Sequence, residues 1–569
     1  LSLNKIKAQL LAIKVVMPIE IFPNIFVHYQ IRFLFYEQRD SRLELTMAAS
    51  VAHYSALTGM VYLGNLLVGT GALALPRSFQ DAGYALGLFT MLVLAFVSYM
   101  NVTFVIEAMS VASACLSEEK KLQDEKPSSS SSTTTTVAVI ASGRSEQQRV
   151  RQQESLDESS DLGKEEKFDL KENMELGRMA CLVLGRWGWL FFYACMGVYL
   201  FGDLIIYGVV VPKALMNAVC AYPDNQSLIN VSSSWACRSG GDVEFSRGAV
   251  YRILVVVFGL VLGPFVFFGI GRTKYFQFVA SFLRWASFLV MIGWAVQRLV
   301  AGTADGHPEP ARPSQFTSLF GTTVYSFMCH HSLPAILTPI EQKARLQIRV
   351  GIVYLVVFSF YLTMAVTAVL AFGRLHDVYV LDFFQLSAGS TWDADHWTLV
   401  TLLKYFLLLF PVFTISSNYP IIGITLRNNV NTLLFGPDDG FASTVSTQCL
   451  VVSDQKEQST WCGKWGWTLR RVVVPFLVVL LPLCISLVTD DVEALIAATG
   501  SYAGVGIQYV TPTWLVWHLR SSRADLVDQM PSNLASPFRH KAWLIFSFLW
   551  ALSSVLIVTI HHILAHFYS

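Results

Sequence analysis

The segment Gly59 to Pro76, GMVYLGNLLVGTGALALP, is apolar enough to cross a bilayer, yet it carries Gly69-Thr70-Gly71 at its middle. In hydrocarbon an unsatisfied backbone amide is expensive, so a membrane helix is interrupted only beside a protein-lined cavity, an ion or a substrate. Few architectures accommodate such a segment, and those that do move small molecules across membranes. The break therefore points to a transporter.

Composition agrees. Of 569 residues 53% are hydrophobic and 14% charged, which is foreign to soluble chains of this length. The formal net charge of +1 offers nothing to a nucleic acid, so polarity has to be read locally. Apolar stretches of about 20 residues, the length needed to cross a bilayer core, centre near residues 66, 96, 200, 259, 287, 330, 361, 411, 480, 507 and 554. The expected class is an all-α integral membrane protein with about eleven transmembrane helices in a lipid bilayer.

Residues 1–46 are apolar but broken by Pro18, Pro23 and charges, and Met47 opens a short polar lead into the first helix. This stretch reads as an extension outside the fold. Residues 47–115 then hold helices 1 and 2, and residues 176–569 hold helices 3 to 11. Between them, residues 116–175 include Ser128 to Ser132, Thr133 to Thr136 and mixed charges, a composition that cannot bury a core. A disordered loop is expected there, open to a cytoplasmic partner.

Basic residues in the short loops set the orientation. Arg272, Lys274, Lys343, Arg345, Arg349, Arg470, Arg471, Arg520, Arg523, Arg539 and Lys541 share one side, read as cytoplasmic together with the amino terminus; Lys213 and Arg247 oppose the rule. The loop 213–247 is then extracellular or lumenal. It contains the glycosylation sequons at Asn225 and Asn230. Cys220 and Cys237 in the same loop would be free to pair in an oxidising compartment, or to remain thiols near a helix end. Cys181, Cys195 and Cys484 read as small buried hydrophobes. Which membrane holds the chain, plasma membrane or endomembrane, is open.

At the first break, glycines allow the amides of Gly69, Thr70, Gly71 and Ala72 to turn inward, and the following half-helix directs its positive end to the same place. An anion such as an amino acid carboxylate suits that spot. Close helix packing is the competing reading of Gly-x-Gly. The sixth helix, FGTTVYSFMCHHSLP from Phe320 to Pro334, is also too polar at its centre for a lipid-facing span. Breaks at matching positions of two halves are the sequence mark of an inverted-repeat transporter, with helices 1 to 5 and 6 to 10 as the repeats.

GNLLVGTGALALPRSFQDAGYALGL resembles the first helix of the eukaryotic amino acid/auxin permease family, and VYSFMCHHSLPAI its sixth, with Phe327, Cys329 and His330 on that motif's core. YLFGDLIIYGVVVP, GPFVFF, LFPVFTISSNYPIIGITLRNN and GSYAGVGIQYVTP bring the likeness closer to the transmembrane protein 104 family, a branch of that superfamily. The resemblance implies the 5+5 inverted-repeat fold of the bacterial leucine transporter. It also implies amino acid movement coupled to protons or sodium, with Tyr199, Phe327, Cys329 and His330 lining the substrate path.

Asp203, one helical turn after Tyr199, is a carboxylate inside a span, where function is the default reading. It would exchange a proton, bind a cation, or form a static pair with Arg284 of the fifth helix. His330 either lines the site or titrates with the cycle. Thr414, Ser416 and Ser417 lie between Pro411 and Pro420; with first-helix carbonyls near Asn65 and Gly69 they would form the sodium site of this fold, or they repair backbone bonds freed by the prolines. No metal-ligand spacing and no hydrolase or kinase signature is present, so neither an enzyme nor a cofactor is expected beyond H+ or Na+ as coupling ion. The functional expectation is a secondary active transporter working by alternating access. A membrane-bound amino acid sensor that binds without turnover is the alternative.

Overall fold

The computed structural model describes residues 54–124, 168, 170, 174–220, 234–237, 245–267, 274–383, 397–435 and 468–568. The expectations for residues 1–46, for most of the 116–175 tract and for Asn225 and Asn230 lie outside them.

Span 1 consists of Ala56–Leu67 and Gly71–Ala82, bent by 54° at the break. It begins at Ser55, whose hydroxyl accepts the Thr58 amide at 3.3 Å and so satisfies one of the orphan donors of a helix start. Gly83, with φ +90°, turns the chain into span 2, Tyr84–Asp124. That helix runs past residue 115, where a loop was expected, because its end has a partner: Glu118 meets Arg523 at 2.6 Å.

Span 3 is Leu176–Val219 and span 4 Arg247–Leu262, closed by the turn Gly263–Val266. Span 5 is Lys274–Val300, and span 6 consists of Phe316–Ser326 and Leu333–Leu337 joined through the turn His330–Ser332. Spans 7 and 8 are Leu346–Ala371 and Trp397–Phe435. Span 9 is Val474–Val488 after a π turn at Leu469–Val473. Span 10 runs from Val492–Thr499 through two π turns to Thr511–Ser522, and span 11 is Lys541–Tyr568.

Among the described residues eight helices are individually long and apolar enough to cross a membrane, nine with the bent pair. Spans 6 and 10 are subdivided by their break and π turns; counted as one crossing each, they complete the eleven read from sequence. The chain is an all-α membrane protein, and no strand forms among the described residues.

The packing of the spans has the symmetry of a repeat. Span 1 packs on span 6, 2 on 7, 3 on 8 and 4 on 9, each on the helix five places later. Span 5 touches 7 and 8 while span 10 touches 2 and 3, the same relation with the halves exchanged. In the most apolar window of spans 2 and 3, 72% of residues are buried, against 28% in spans 5, 9 and 11, so the former line the centre and the latter face lipid. Span 6 crosses span 10 at Gly321 and Gly500, where a Cβ on either glycine would collide with backbone carbonyl oxygen of the other helix. Small residues permit that approach, and dispersion then holds the helices together.

Candidate functional site

The two breaks face each other. In span 1, the Gly69 amide donates to the Leu67 carbonyl at 2.9 Å and the Ala72 amide to the Gly69 carbonyl at 3.3 Å. Two of the four amides expected to receive an anion are therefore engaged within the segment. The Thr70 amide has no acceptor among the described residues. Gly71 has another role: a Cβ there would stand 2.5 Å from Ser326 Oγ and 2.9 Å from Ser326 Cα, so its lack of a side chain lets span 1 meet span 6.

Thr70 Oγ1 lies 3.0 Å from the Tyr325 hydroxyl, and that hydroxyl donates to Asp203 Oδ1 at 2.5 Å. Asp203 is 3% exposed and also takes a hydrogen bond from Tyr199, whose ring lies 5.8 Å from that of Tyr325 and 5.5 Å from His331. A chain of hydroxyls thus connects a buried carboxylate on span 3 to the break in span 1 through the end of span 6. Among the described residues Asp203 has no cationic partner.

Arg284 is not the partner considered for it. Its Nη1 donates to the carbonyls of Asn65 (3.1 Å) and Val68 (2.9 Å), at the end of the first half-helix. Those carbonyls carry the negative end of the helix dipole and lack amide partners, which is why a cation settles there. They are also the first-helix carbonyls a sodium site would use. Of the span 8 hydroxyls expected with them, Thr414 Oγ1 donates to the Phe410 carbonyl at 2.8 Å and Ser417 Oγ to the Thr414 carbonyl at 2.7 Å, both within span 8. The Asn65 side chain donates to Ser281 Oγ at 2.6 Å. No hydrogen bond to Ser416 appears among those described.

Phe327 and Cys329 meet span 7. Phe327 packs against Tyr354 and Tyr361 with ring centroids at 6.2 and 5.4 Å, and Cys329 Sγ lies 3.2 Å from the Tyr354 hydroxyl. His330 is fully buried, and its Nε2 lies 3.2 Å from the Ser98 carbonyl, to which it donates. Span 7 supplies a residue that sequence reasoning passed over. The Tyr361 hydroxyl lies 2.8 Å from the Leu67 carbonyl and 3.2 Å from that of Ser326, so one side chain touches both breaks. A tyrosine every seven residues, Tyr354 and Tyr361, on one face of span 7 was the available signal.

Charged clusters lie at both ends of the bundle. On the face of the Cys220–Cys237 loop, Arg77 contacts Asp81 at 2.7 Å, Glu493 at 3.7 Å and the Leu375 carbonyl at 2.6 Å. Ser78 and Ser318 both donate to Glu493. Lys213 pairs with Asp377 at 2.5 Å, and Arg247 donates to Asn217 at 2.6 Å, so two cations that opposed the orientation rule are held by partners. Arg77, Glu493, Lys213, Asp377, Asn217 and Arg247 line a cavity of about 540 Å³. Cys220 and Cys237 are disulfide-bonded to each other. Cys181, read as a buried hydrophobe, is disulfide-bonded as well. On the opposite face Glu107 is 2% exposed and takes two bonds from Arg520, at 2.7 and 2.9 Å, and one from the Ser536 amide at 3.0 Å.

The family model described as transmembrane amino acid transporter protein matches residues 164–560. The chain is 38% identical over 522 residues to a protein named transmembrane protein 104 homolog from Drosophila melanogaster, covering 89% of this chain and 97% of that one. It is 36% identical over 525 residues to transmembrane protein 104 of Homo sapiens, covering 90% and 97%. A Dictyostelium discoideum homolog of the same name is 30% identical over 540 residues, covering 89% and 96%.

Proposed function

The chain belongs to the transmembrane protein 104 family, within the transmembrane amino acid transporter group, and from that membership we propose that it is a proton-coupled secondary transporter of an amino acid or similar small zwitterion. The substrate carboxylate docks at the Thr70 amide and hydroxyl, at the positive end of the half-helix Gly71–Ala82. The observation that carries this reading is the hydroxyl chain from Asp203 through Tyr325 to Thr70. When Asp203 is ionised it takes the Tyr325 proton in a hydrogen bond, which leaves the Tyr325 oxygen as acceptor for Thr70. When Asp203 is protonated it can donate instead, and Tyr325 turns its O–H to Thr70. The proton on span 3 thereby sets what the substrate meets at the break.

Arg284 favours the proton over sodium, since a resident guanidinium stands on the carbonyls that a sodium ion would need. The side bearing Arg520 is cytoplasmic by the distribution of basic loops, and the Arg77–Glu493 and Arg520–Glu107 clusters are the outer and inner closures that open in turn.

Counterflow in proteoliposomes preloaded with unlabelled amino acids tests this, since exchange needs turnover but no ion gradient. Wild type should exchange at least one labelled amino acid. Asp203→Asn should keep exchange and lose accumulation driven by a pH gradient. Folded protein that binds amino acid without exchanging it would replace the transporter reading with that of a sensor. Gradient-driven accumulation by Asp203→Asn would remove the coupling role.

A further inference from the structure

Span 10 departs from α-helical geometry twice, at Gly500–Gly504 and Gly506–Val510. Such π turns re-aim a side chain and recur at functional sites. Gln508 lies in the second turn, fully buried, and neither its Nε2 nor its Oε1 has a hydrogen-bond partner among the described residues. Gly504, one turn earlier, lies against Val324 and Met328 of span 6. The turn that holds Gln508 packs on His330–Ser332 at the span 6 break.

There the polar atoms are also incomplete. With Nε2 donating to the Ser98 carbonyl, the neutral His330 ring carries its lone pair on Nδ1, and that Nδ1 has no partner among the described residues. The Nδ1 of His331 is buried and unpartnered too. Buried polar side chains are paired in the large majority of cases, so unpaired ones gathered at a helix break are candidates to meet a ligand.

We propose that Gln508 and His330 form a side-chain subsite that selects a neutral polar amino acid, one whose side chain carries both a donor and an acceptor, with a carboxamide as the best match. The inference rests on the transporter reading for the position of the backbone carboxylate. Its chemistry follows from the inventory of groups. His330 Nδ1 only accepts, so the ligand must bring an N–H or O–H. The Gln508 amide both donates and accepts, so the ligand must do both. A carboxylate has no donor for His330, an ammonium has no acceptor for Gln508, and an alkyl side chain has neither. His331, next to His330 in the chain, is in ring contact with Tyr199, which bonds Asp203, so the span 6 break joins the subsite to the proposed proton site.

The test is equilibrium binding to the purified full-length protein in detergent, which needs no turnover, with glutamine, asparagine, serine, glutamate, lysine and leucine as probes. Glutamine or asparagine should bind wild type more tightly than leucine by about tenfold or more, the discrimination expected when a buried polar group is left unpaired. Gln508→Met should lower carboxamide affinity by a similar factor and raise that for leucine. Leucine bound as tightly as glutamine by wild type, or no binding of any probe, overturns the proposal without reference to the variant. So does unchanged glutamine affinity in a folded Gln508→Met. Selective carboxamide binding without counterflow would keep the subsite and discard transport; counterflow favouring leucine would keep transport and discard the subsite.

Discussion

Replacing Arg284 by methionine isolates the role of the guanidinium at the first break. In the wild type Nη1 holds the Asn65 and Val68 carbonyls at 3.1 and 2.9 Å. A hydrogen bond from a charged donor is worth about 1.5–3 kcal/mol, and an orphaned buried carbonyl costs about 1–3 kcal/mol. Against this, relieving a partly buried charge without a carboxylate partner returns several kcal/mol. With two bonds lost and two carbonyls orphaned, about 5–12 kcal/mol in all, the balance is a net loss of a few kcal/mol. The oxygens left behind, with the unpartnered Asn65 Oδ1 beside them, form an oxygen-rich site for a small cation. Arg284→Met should therefore gain stability in sodium relative to N-methylglucamine, by roughly 1.6 kcal/mol at 150 mM for a site with Kd of about 10 mM, while wild type gains nothing. Unfolding curves in detergent under the two salts measure both effects. A variant as stable as wild type, or a wild type stabilised by sodium to the same extent, refutes the argument that Arg284 stands in for the ion.

Gly71→Ala should destabilise by about 1–3 kcal/mol through overpacking on Ser326, and Ser326→Ala should recover only part of it, since the added methyl would still stand 2.9 Å from the backbone α-carbon of residue 326; paired unfolding curves decide. Glu107→Gln should cost about 3–5 kcal/mol because the Arg520 charge is left buried against a neutral partner, while Glu107→Leu with Arg520→Met should recover much of that loss, a difference that a double-mutant cycle reads. Burial raises the carboxyl of Asp382, in the loop after span 7, above its ordinary value, although bonds from the His376 ring and amide oppose the shift. Its contribution to folding is complete below the ordinary carboxylate range and is lost as pH rises through the raised value. Asp382→Asn should therefore flatten the pH dependence of stability across that window, and an unchanged profile would deny it.

Much of this was legible from one dimension. Helix positions follow from apolar runs of bilayer length, because lipid forces each span to satisfy its own backbone, and Gly69-Thr70-Gly71 showed its break for the same reason. Asp203 was visible because a carboxylate within an apolar run is costly enough that function is its default reading, and Tyr199 because it lies one helical turn before it. Arg284 was visible as a charge, but its partner was not: a backbone carbonyl has no sequence signature, so a neighbouring carboxylate was the only partner a string of letters could suggest. The pairing of Glu107 with Arg520 has no sequence signature either, since the two lie 413 residues apart. Phe327 and Cys329 lie on the break but on the face toward span 7, and spacing within an interrupted segment no longer reports the face.

The sequence by itself determined the all-α membrane class, the places of the spans and the two interruptions, because these depend on local hydropathy and on backbone hydrogen bonding within each segment. Only the tertiary structure decided which interrupted groups remain open. It put Arg284 on the carbonyls of the first break, Tyr361 across both breaks, Tyr325 between Asp203 and Thr70, and left the Gln508 amide without a partner among the described residues. Each of these is decided by how side chains and backbone of different helices meet, and the free energy that selects it exists only once the helices are packed.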